Sequence, residues 1–303
     1  MERISVVVST YSKNKLWQVL DCVESLRKQT LPPHEILLVL DPDPEVFNYY
    51  KFNTPVDVKI ITSDGIGLSN ARNAGVREAE SEIVAFIDDD AVADENWLRN
   101  LAQNYSDYSV AGVGGPIKPF WAFKKPEWFP EELNWVIGCS YRGGPSRREE
   151  IRNPIGCNMS FRKAALEKAG CFRSDLGRFG KFLLAGEESD VSMRIKDKIP
   201  GAKILNEPSA VVFHKVNMER LSLKYILVRS FYEGVSKSLI ANSASNQSEA
   251  LSTERDYLKF LLRTSVIPRM RQIYKFSNLG QLSLLFSSSF AVFAGYALGR
   301  ITS

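Results

Sequence analysis

The sequence predicts an α/β protein: a mostly parallel central sheet flanked by helices, with a helical C-terminal region appended. Three observations predict it. A β-branched run at Ile4–Thr10 and strand-like runs at Glu35–Asp41 and Val58–Thr62 alternate with segments of helical apolar spacing. The apolar run Ile83–Ile87 then enters three consecutive acids, Asp88, Asp89 and Asp90. Beyond residue 217 the composition turns basic and helical and ends in an uncharged stretch.

Composition sets the bounds. A chain of 303 residues, 44% hydrophobic and 24% charged, can bury a full α/β core and a smaller appended region, and disorder is not its main theme. A net charge of +4 is too weak to imply nucleic acid as a partner. The four cysteines, Cys22, Cys139, Cys157 and Cys171, have no Cys-x-x-Cys spacing and follow no signal peptide, which reads as reduced thiols in a cytosolic compartment. Two histidines, His34 and His214, exclude a His-rich zinc site.

In chain order, Ile4–Thr10 reads as a central strand. Leu16, Val19, Leu20, Val23 and Leu26 mark a helix closed by Thr30-Leu-Pro-Pro33, and Glu35–Asp41 is the second strand. The turn after the first strand, Thr-Tyr-Ser-Lys, has no glycine, so a nicotinamide or flavin cofactor is not expected. Asp41 sits in Asp-Pro-Asp-Pro, either as a turn residue or as an acceptor for the ring NH of a uracil-type base. After the third strand, Gly65–Gly75 opens a helix whose glycines allow close ligand approach, with Ser69 or Asn70 as caps and Arg72 and Asn73 in the first turns. The run ending in Asp88-Asp-Asp90 reads as a buried strand with carboxylates at its carboxyl end, where open α/β sheets place ligands. Three adjacent acids repel, and hard oxygen ligands favour Mg²⁺ or Mn²⁺; the plainer reading is a solvated turn before an acidic helix start at Asp94-Glu95.

Taken together these segments resemble the catalytic domain of family-two inverting glycosyltransferases, which have the GT-A fold. The resemblance rests on Val6–Thr10, Asp41, Gly67–Asn73, Asp88-Asp-Asp90, Gly156-Cys-Asn-Met-Ser-Phe-Arg162, Gly186-Glu-Glu-Ser-Asp190 and His214, and covers about residues 1–217. It implies a nucleotide-diphosphate sugar donor, UDP- or GDP-linked, and Mn²⁺ or Mg²⁺ held by Asp90 with Asp88 and His214. It further implies donor contacts from Thr10, Asp41, Arg72, Asp88 and Asp89, and acceptor contacts from Asn158, Arg162 and Trp128. Glu188 would be the catalytic base, with Glu187 and Asp190 beside it and Asp190 orienting the helix start or contacting the acceptor. The family carries Asp where this chain has Glu188, a departure of one methylene. An acidic N-cap and first turn is the alternative for that segment.

Residues 116–152 are long, irregular and aromatic-rich, which fits sugar stacking, lipid contact or simple packing equally. Met218–Ala241 reads as one basic helix, Asn242–Thr253 as a polar linker, and Arg255–Lys275 as a basic amphipathic segment broken at Pro268. Phe276–Gly299 is free of charge and of spanning length; a span, an interfacial helix and a buried helix all fit. The basic flank before it would keep the catalytic domain on the cytoplasmic side of the cell membrane.

The expected organisation is therefore a GT-A catalytic domain at 1–217, a basic helical extension at 218–275 and a membrane-associated helix at 276–299. The expected activity is metal-dependent, inverting sugar transfer to a lipid-linked (polyprenyl or dolichyl phosphate) or glycan acceptor, in surface glycan or N-glycan assembly. The rivals are a sugar-nucleotide nucleotidyltransferase and a non-catalytic sugar-nucleotide or glycan-binding module.

Overall fold

A computed structural model describes residues 2–178, 183–243 and 251–302. The chain divides into two units. The first comprises Met1–Lys118, Ser146–Lys181 and Glu187–Lys215; the second comprises Pro119–Pro145, Phe182–Gly186 and Val216–Ser303. The change at 215 lies close to the boundary expected at 217. Residues 119–145, however, group with the C-terminal unit and not with the sheet.

The first unit opens with β1 (Ile4–Thr10), α1 (Leu16–Arg27), β2 (Glu35–Leu40), α2 (Pro44–Asn53), β3 (Val58–Thr62), α3 (Leu68–Glu78) and β4 (Ile83–Asp88). It continues with β5 (Ala91–Ala93), α4 (Trp97–Ala102) and β6 (Val110–Gly114). After β7 (Ile117–Trp121) come β8 (Glu149–Glu150), β9 (Met159–Arg162), α5 (Lys163–Ala169), α6 (Glu187–Lys198), β10 (Lys203–Asn206) and β11 (Val212–Val216). Eight strands form one sheet in the order β3-β2-β1-β4-β9-β6-β10-β8. The β3-β2-β1-β4 half is parallel throughout, and β9 runs antiparallel to both β4 and β6. Strands covered on both faces are predominantly apolar, which is why β1, β2 and β4 carry the runs Val6–Val8, Ile36–Leu40 and Ile83–Ile87, while buried Ser5 of β1 donates to Glu35 at 2.6 Å. Val7, Leu37, Phe86, Phe161, Leu166 and Val191 meet in the core that α3, α5 and α6 close over.

Two local details position the site. Gly75 of α3 lies so close to β1 that a Cβ there would stand 2.6 Å from a methyl of Val7. Its role is helix–sheet packing, not ligand approach. The stretch after Asp90, expected as a small-residue turn, is a short strand. β5 pairs antiparallel with β11, in register His214↔Ala91.

The second unit contains a 3₁₀ turn at Glu131–Ile137, α7 (Leu223–Ser243), α8 (Ser252–Phe260), α9 (Ile267–Met270) and α10 (Phe276–Thr302). The single helix expected over Met218–Ala241 is divided: a 3₁₀ turn covers Met218–Leu221, and extended Ser222 caps α7 by accepting the Tyr225 N–H. The polar linker expected over Asn242–Thr253 lies largely outside the described residues, and α8 already begins at Ser252. Helices α7 and α10 approach closely because glycines sit at their crossing. A Cβ on Gly234 would stand 1.9 Å from the Val292 carbonyl oxygen, and Ser230 and Ser288 share a hydrogen bond of 2.6 Å. α10 is long and apolar enough to cross a membrane over Phe276–Ile301. The aromatic stretch packs in part: Phe129 is buried beneath Trp121 and Trp128 in edge-to-face contacts.

Candidate active site

The site forms at the carboxyl ends of β1, β2 and β4, within the first unit. Asp88 is the last residue of β4, and Asp90 precedes β5. Because β5 pairs with β11, His214 comes alongside Asp90, and its Nε2 lies 3.2 Å from an Asp90 carboxylate oxygen. Ligand atoms of Asp88, Asp90 and His214 all fall within 4.8 Å of one another. Asp90 and His214 are buried and Asp88 is half-buried. Two carboxylates and one imidazole, held together by backbone pairing, suit a hard divalent cation of the Mg²⁺ or Mn²⁺ kind.

Asp89 points elsewhere. Its carboxylate is buried and accepts a 2.7 Å hydrogen bond from Lys15, the residue that leads into α1. Burial pushes the Asp89 carboxyl up to about 6; Lys15 opposes that shift and Asp90 adds to it. Asp89, expected to contact the donor, ties the acidic turn to the start of α1. The reason is geometric: successive side chains leaving a strand alternate in direction, so Asp88 and Asp90 converge while Asp89 diverges. Thr10 is buried at the end of β1, with its hydroxyl beside Asp89 and the Tyr50 hydroxyl.

Arg72 is the hub between the metal cluster and α6. It is buried, donates to Glu187 at 2.6 Å and lies 3.7 Å from Asp88, with the Phe172 ring stacked 5.7 Å away. Burial alone would lower its pKa, but Glu187, Asp88 and Glu188 outweigh burial and raise it. A Cβ on Gly156 would meet the Arg72 guanidinium at 3.0 Å, so the glycine of the expected Gly-x-Asn element makes room for this arginine. Asp41, just past β2, accepts the Gly67 N–H at 3.2 Å. Gly67 adopts φ 113° at the start of α3, a conformation that favours glycine. No side chain caps that helix: Ser69 donates to the Leu176 carbonyl and Asn70 to the Ile66 carbonyl.

The acidic segment of α6 divides its labour. Glu187, expected beside the base, is buried against Arg72 and holds that arginine at 2.6 Å. Asp190 is buried and takes two hydrogen bonds from Arg194, at 2.9 and 2.6 Å, with Arg173 at 3.6 Å. It fixes the first turns of α6 through Arg194. Glu188 is the half-buried member of the three, close enough to Arg72 to raise its pKa. Two residues expected to contact the acceptor, Asn158 and Arg162, have partners within the sheet. Asn158 is fully buried, accepting the Trp97 indole N–H at 2.8 Å and donating to the Pro116 and Ala210 carbonyls. Arg162 donates to the Val110 carbonyl at 3.0 Å and stacks on Tyr105 and Tyr108. Both bind the sheet together: the Asn158 amide donors and the Arg162 Nε and Nη2 groups are taken by backbone carbonyls. Trp128 belongs to the second unit and is half-exposed. Lys15 escaped the sequence reading because 74 residues separate it from Asp89. The Asp190–Arg194 pair carried a visible signal in its i,i+4 spacing.

The model of glycosyl transferase family 2 matches residues 5–170. A glucosyl-dolichyl phosphate glucuronosyltransferase of Haloferax volcanii is 33% identical over 99% of this chain and 97% of its own length. The chain belongs to glycosyl transferase family 2. This family-two enzyme is also 26% identical to the succinoglycan biosynthesis protein ExoM of Rhizobium meliloti, over 76% of this chain and 72% of that protein. Its fold matches that of a mannosyltransferase from Pyrobaculum calidifontis solved with GDP-Man and Mn²⁺. There the TM-score is 0.63 at 16% identity, over 99% of this chain and 87% of the other. The family-two fold is of the GT-A type, and Asp88–Asp90 is its DxD-like site.

Proposed function

We propose that this enzyme is a metal-dependent inverting glycosyltransferase. In this reading it moves a sugar from a nucleoside diphosphate to a lipid-linked acceptor, a sugar-bearing polyprenyl or dolichyl phosphate, in surface glycan or N-glycan assembly. The observation that carries the reading is the convergence of Asp88, Asp90 and His214 beside Arg72, which is itself bound to the helix start that bears Glu188. Asp88, Asp90 and His214 would hold Mn²⁺ or Mg²⁺, which when bound offsets the negative charge of a diphosphate leaving group.

The chain's own residues supply the rest. Asp41 and the Thr10 end of β1 form the nucleoside side of the site, where Asp41 accepts from a base ring NH. Arg72 stays charged and adds positive potential beside Asp88. Glu188 accepts the proton of the acceptor hydroxyl as that oxygen attacks the anomeric carbon. The bond from that carbon to the diphosphate breaks on the opposite face, which inverts the anomeric centre. Glu187 and Asp190 hold Arg72 and α6 in place. Trp128 is proposed as an acceptor-stacking residue of the second unit. The acceptor class follows the Haloferax volcanii relative, whose name specifies a glucosyl-dolichyl phosphate. It accords with an apolar α10; in this reading the enzyme works at the cell membrane, with the catalytic unit on the cytoplasmic side.

The test is release of nucleoside diphosphate from a panel of nucleotide sugars, with glucosyl polyprenyl phosphate as acceptor, in Mn²⁺ and in EDTA. Glu188→Gln is expected to lower kcat by about 10²–10⁴-fold with donor binding intact. Asp90→Ala is expected to abolish Mn²⁺-dependent donor binding. Pyrophosphate release would instead indicate nucleotidyl transfer, and binding without turnover across the panel would indicate a binding module.

A further inference from the structure

The segment between α7 and α10 turns its two sides to different chemistry, entirely within the second unit. One side is fixed to the 3₁₀ turn at Glu131–Ile137. The buried carboxylate of Glu132 accepts from Arg269 at 2.9 and 3.0 Å and from Ser265 at 2.7 Å, while Tyr257 donates to the Glu132 carbonyl at 2.6 Å. Phe260 fills the space beside Gly143, whose φ is 98°. These contacts set the rotation of the whole run from α8 to α9.

The opposite side carries Leu258, Leu262, Ile267, Met270 and Ile273, each between 46% and 58% exposed. The spacing of the first four is 4, 5 and 3 residues. A regular α-helix would carry such a series off one face. Here a π turn spans Leu261–Val266, with the Ile267 N–H bonded to the Leu262 carbonyl. Its extra residue brings Ile267 back into line with Leu262. Interleaved with the apolar residues are exposed Lys259, Arg263, Arg271 and Lys275. Between residues 251 and 276 the one exposed acid is Asp256, which Lys259 holds at 3.0 Å.

Apolar side chains interleaved with cations on an outward face suit the headgroup boundary of an anionic bilayer, where alkyl groups enter the acyl region and cations meet lipid phosphates. A second copy of the chain fits poorly, since two such faces would bring like charges together. We infer that residues 258–275 form an in-plane anchor that lies in the surface of anionic membranes. The inference rests on the membrane reading proposed above, but assigns the lipid contact to α8, the π turn and α9 and makes it independent of α10.

The experiment uses the full chain in a Cys171→Ser background, with an environment-sensitive fluorophore at Leu262→Cys or Met270→Cys and, as control, at Val56→Cys, an exposed site of the first unit. Vesicles of phosphatidylglycerol or phosphatidylcholine are added, containing a quencher near the headgroup or at the bilayer centre. Emission at 262 and 270 is expected to rise only with phosphatidylglycerol, to be quenched more by the shallow quencher, and to stay unchanged at 56. The pair Arg263→Glu and Arg271→Glu should weaken vesicle binding about tenfold or more. Co-flotation with silent probes at 262 and 270 would overturn the anchor and leave α10 as the membrane contact. Stronger quenching at the bilayer centre would overturn the in-plane geometry. A concentration-dependent rise without vesicles would assign the face to a second copy. Absence of flotation altogether would overturn this inference and the membrane reading together.

Discussion

At the scale of single residues, the site depends on charges that hold one another in place. Arg72 and Glu187 are both buried and lie 2.6 Å apart, so each is tolerated there because of the other. Arg72→Met would strand the Glu187 carboxylate, and thermal or urea unfolding should show a loss of about 3–5 kcal/mol. Removing both charges, as Arg72→Met with Glu187→Leu, should restore much of that stability but not transfer activity, because the positive potential beside Asp88 is gone. A double variant as unstable as the single would show that packing against Phe172 is the larger effect. Glu188 differs from its buried neighbours Glu187 and Asp190 by being half-buried at the start of α6.

At the scale of elements, short pieces of secondary structure decide which residues meet. β5 is three residues long, yet its register with β11 brings His214 to Asp90. α3 lies flat on the sheet because Gly75 has no side chain to hold it off. Gly75→Ala places a methyl about where the Val7 methyls already are, 2.6 and 2.7 Å from its own Cβ. The expected cost is about 1–3 kcal/mol by chemical denaturation, despite alanine's better helix propensity. Since Arg72 sits one turn away on the same helix, donor affinity should fall with it. Unchanged stability would mean that α3 can slide outward.

At the scale of the whole molecule, two units carry two kinds of polar interior. The first holds the metal cluster and Arg72. The second holds Glu132 with Arg269, and Glu233 between Arg229 at 2.9 Å and Lys237 at 3.1 Å. Burial alone would raise the Glu233 pKa, but Lys237 and Arg229 outweigh it and bring it down to about 2, from an ordinary 4.5. A depressed carboxylate stabilises the fold at pH above its unfolded pKa, and that contribution is lost as pH falls through the folded value. Stability should therefore decline between about pH 4.5 and 2. In Glu233→Gln that slope should flatten, from a neutral-pH stability lower by about 3 kcal/mol because Arg229 stays buried without its anion, while Lys237 keeps Glu254 at 2.9 Å. An unchanged acid slope would place the pH dependence elsewhere.

Much of this protein was legible in one dimension. The parallel half of the sheet followed from β1, β2 and β4, since strands covered on both faces are written mostly in apolar residues. The family followed from the order of Asp41, Gly67–Asn73, Asp88-Asp-Asp90 and His214, and the apolar length of α10 from composition. Direction was not legible. The sequence alone placed Asp89, Glu187, Asp190, Asn158 and Arg162 among ligand-contacting residues, and the fold turned each toward a partner within the protein. Those partners lie up to 115 residues away in the chain, as Arg72 does from Glu187. Which way a side chain leaves a strand end or helix start is fixed by the elements packed around it, and spacing along the chain carries no record of them. The tertiary structure alone decided that β5 exists as a strand, that a π turn aligns Leu262 with Ile267, and that residues 119–145 belong with the C-terminal unit. Each of these depends on contacts between segments remote in sequence, where local propensity is silent.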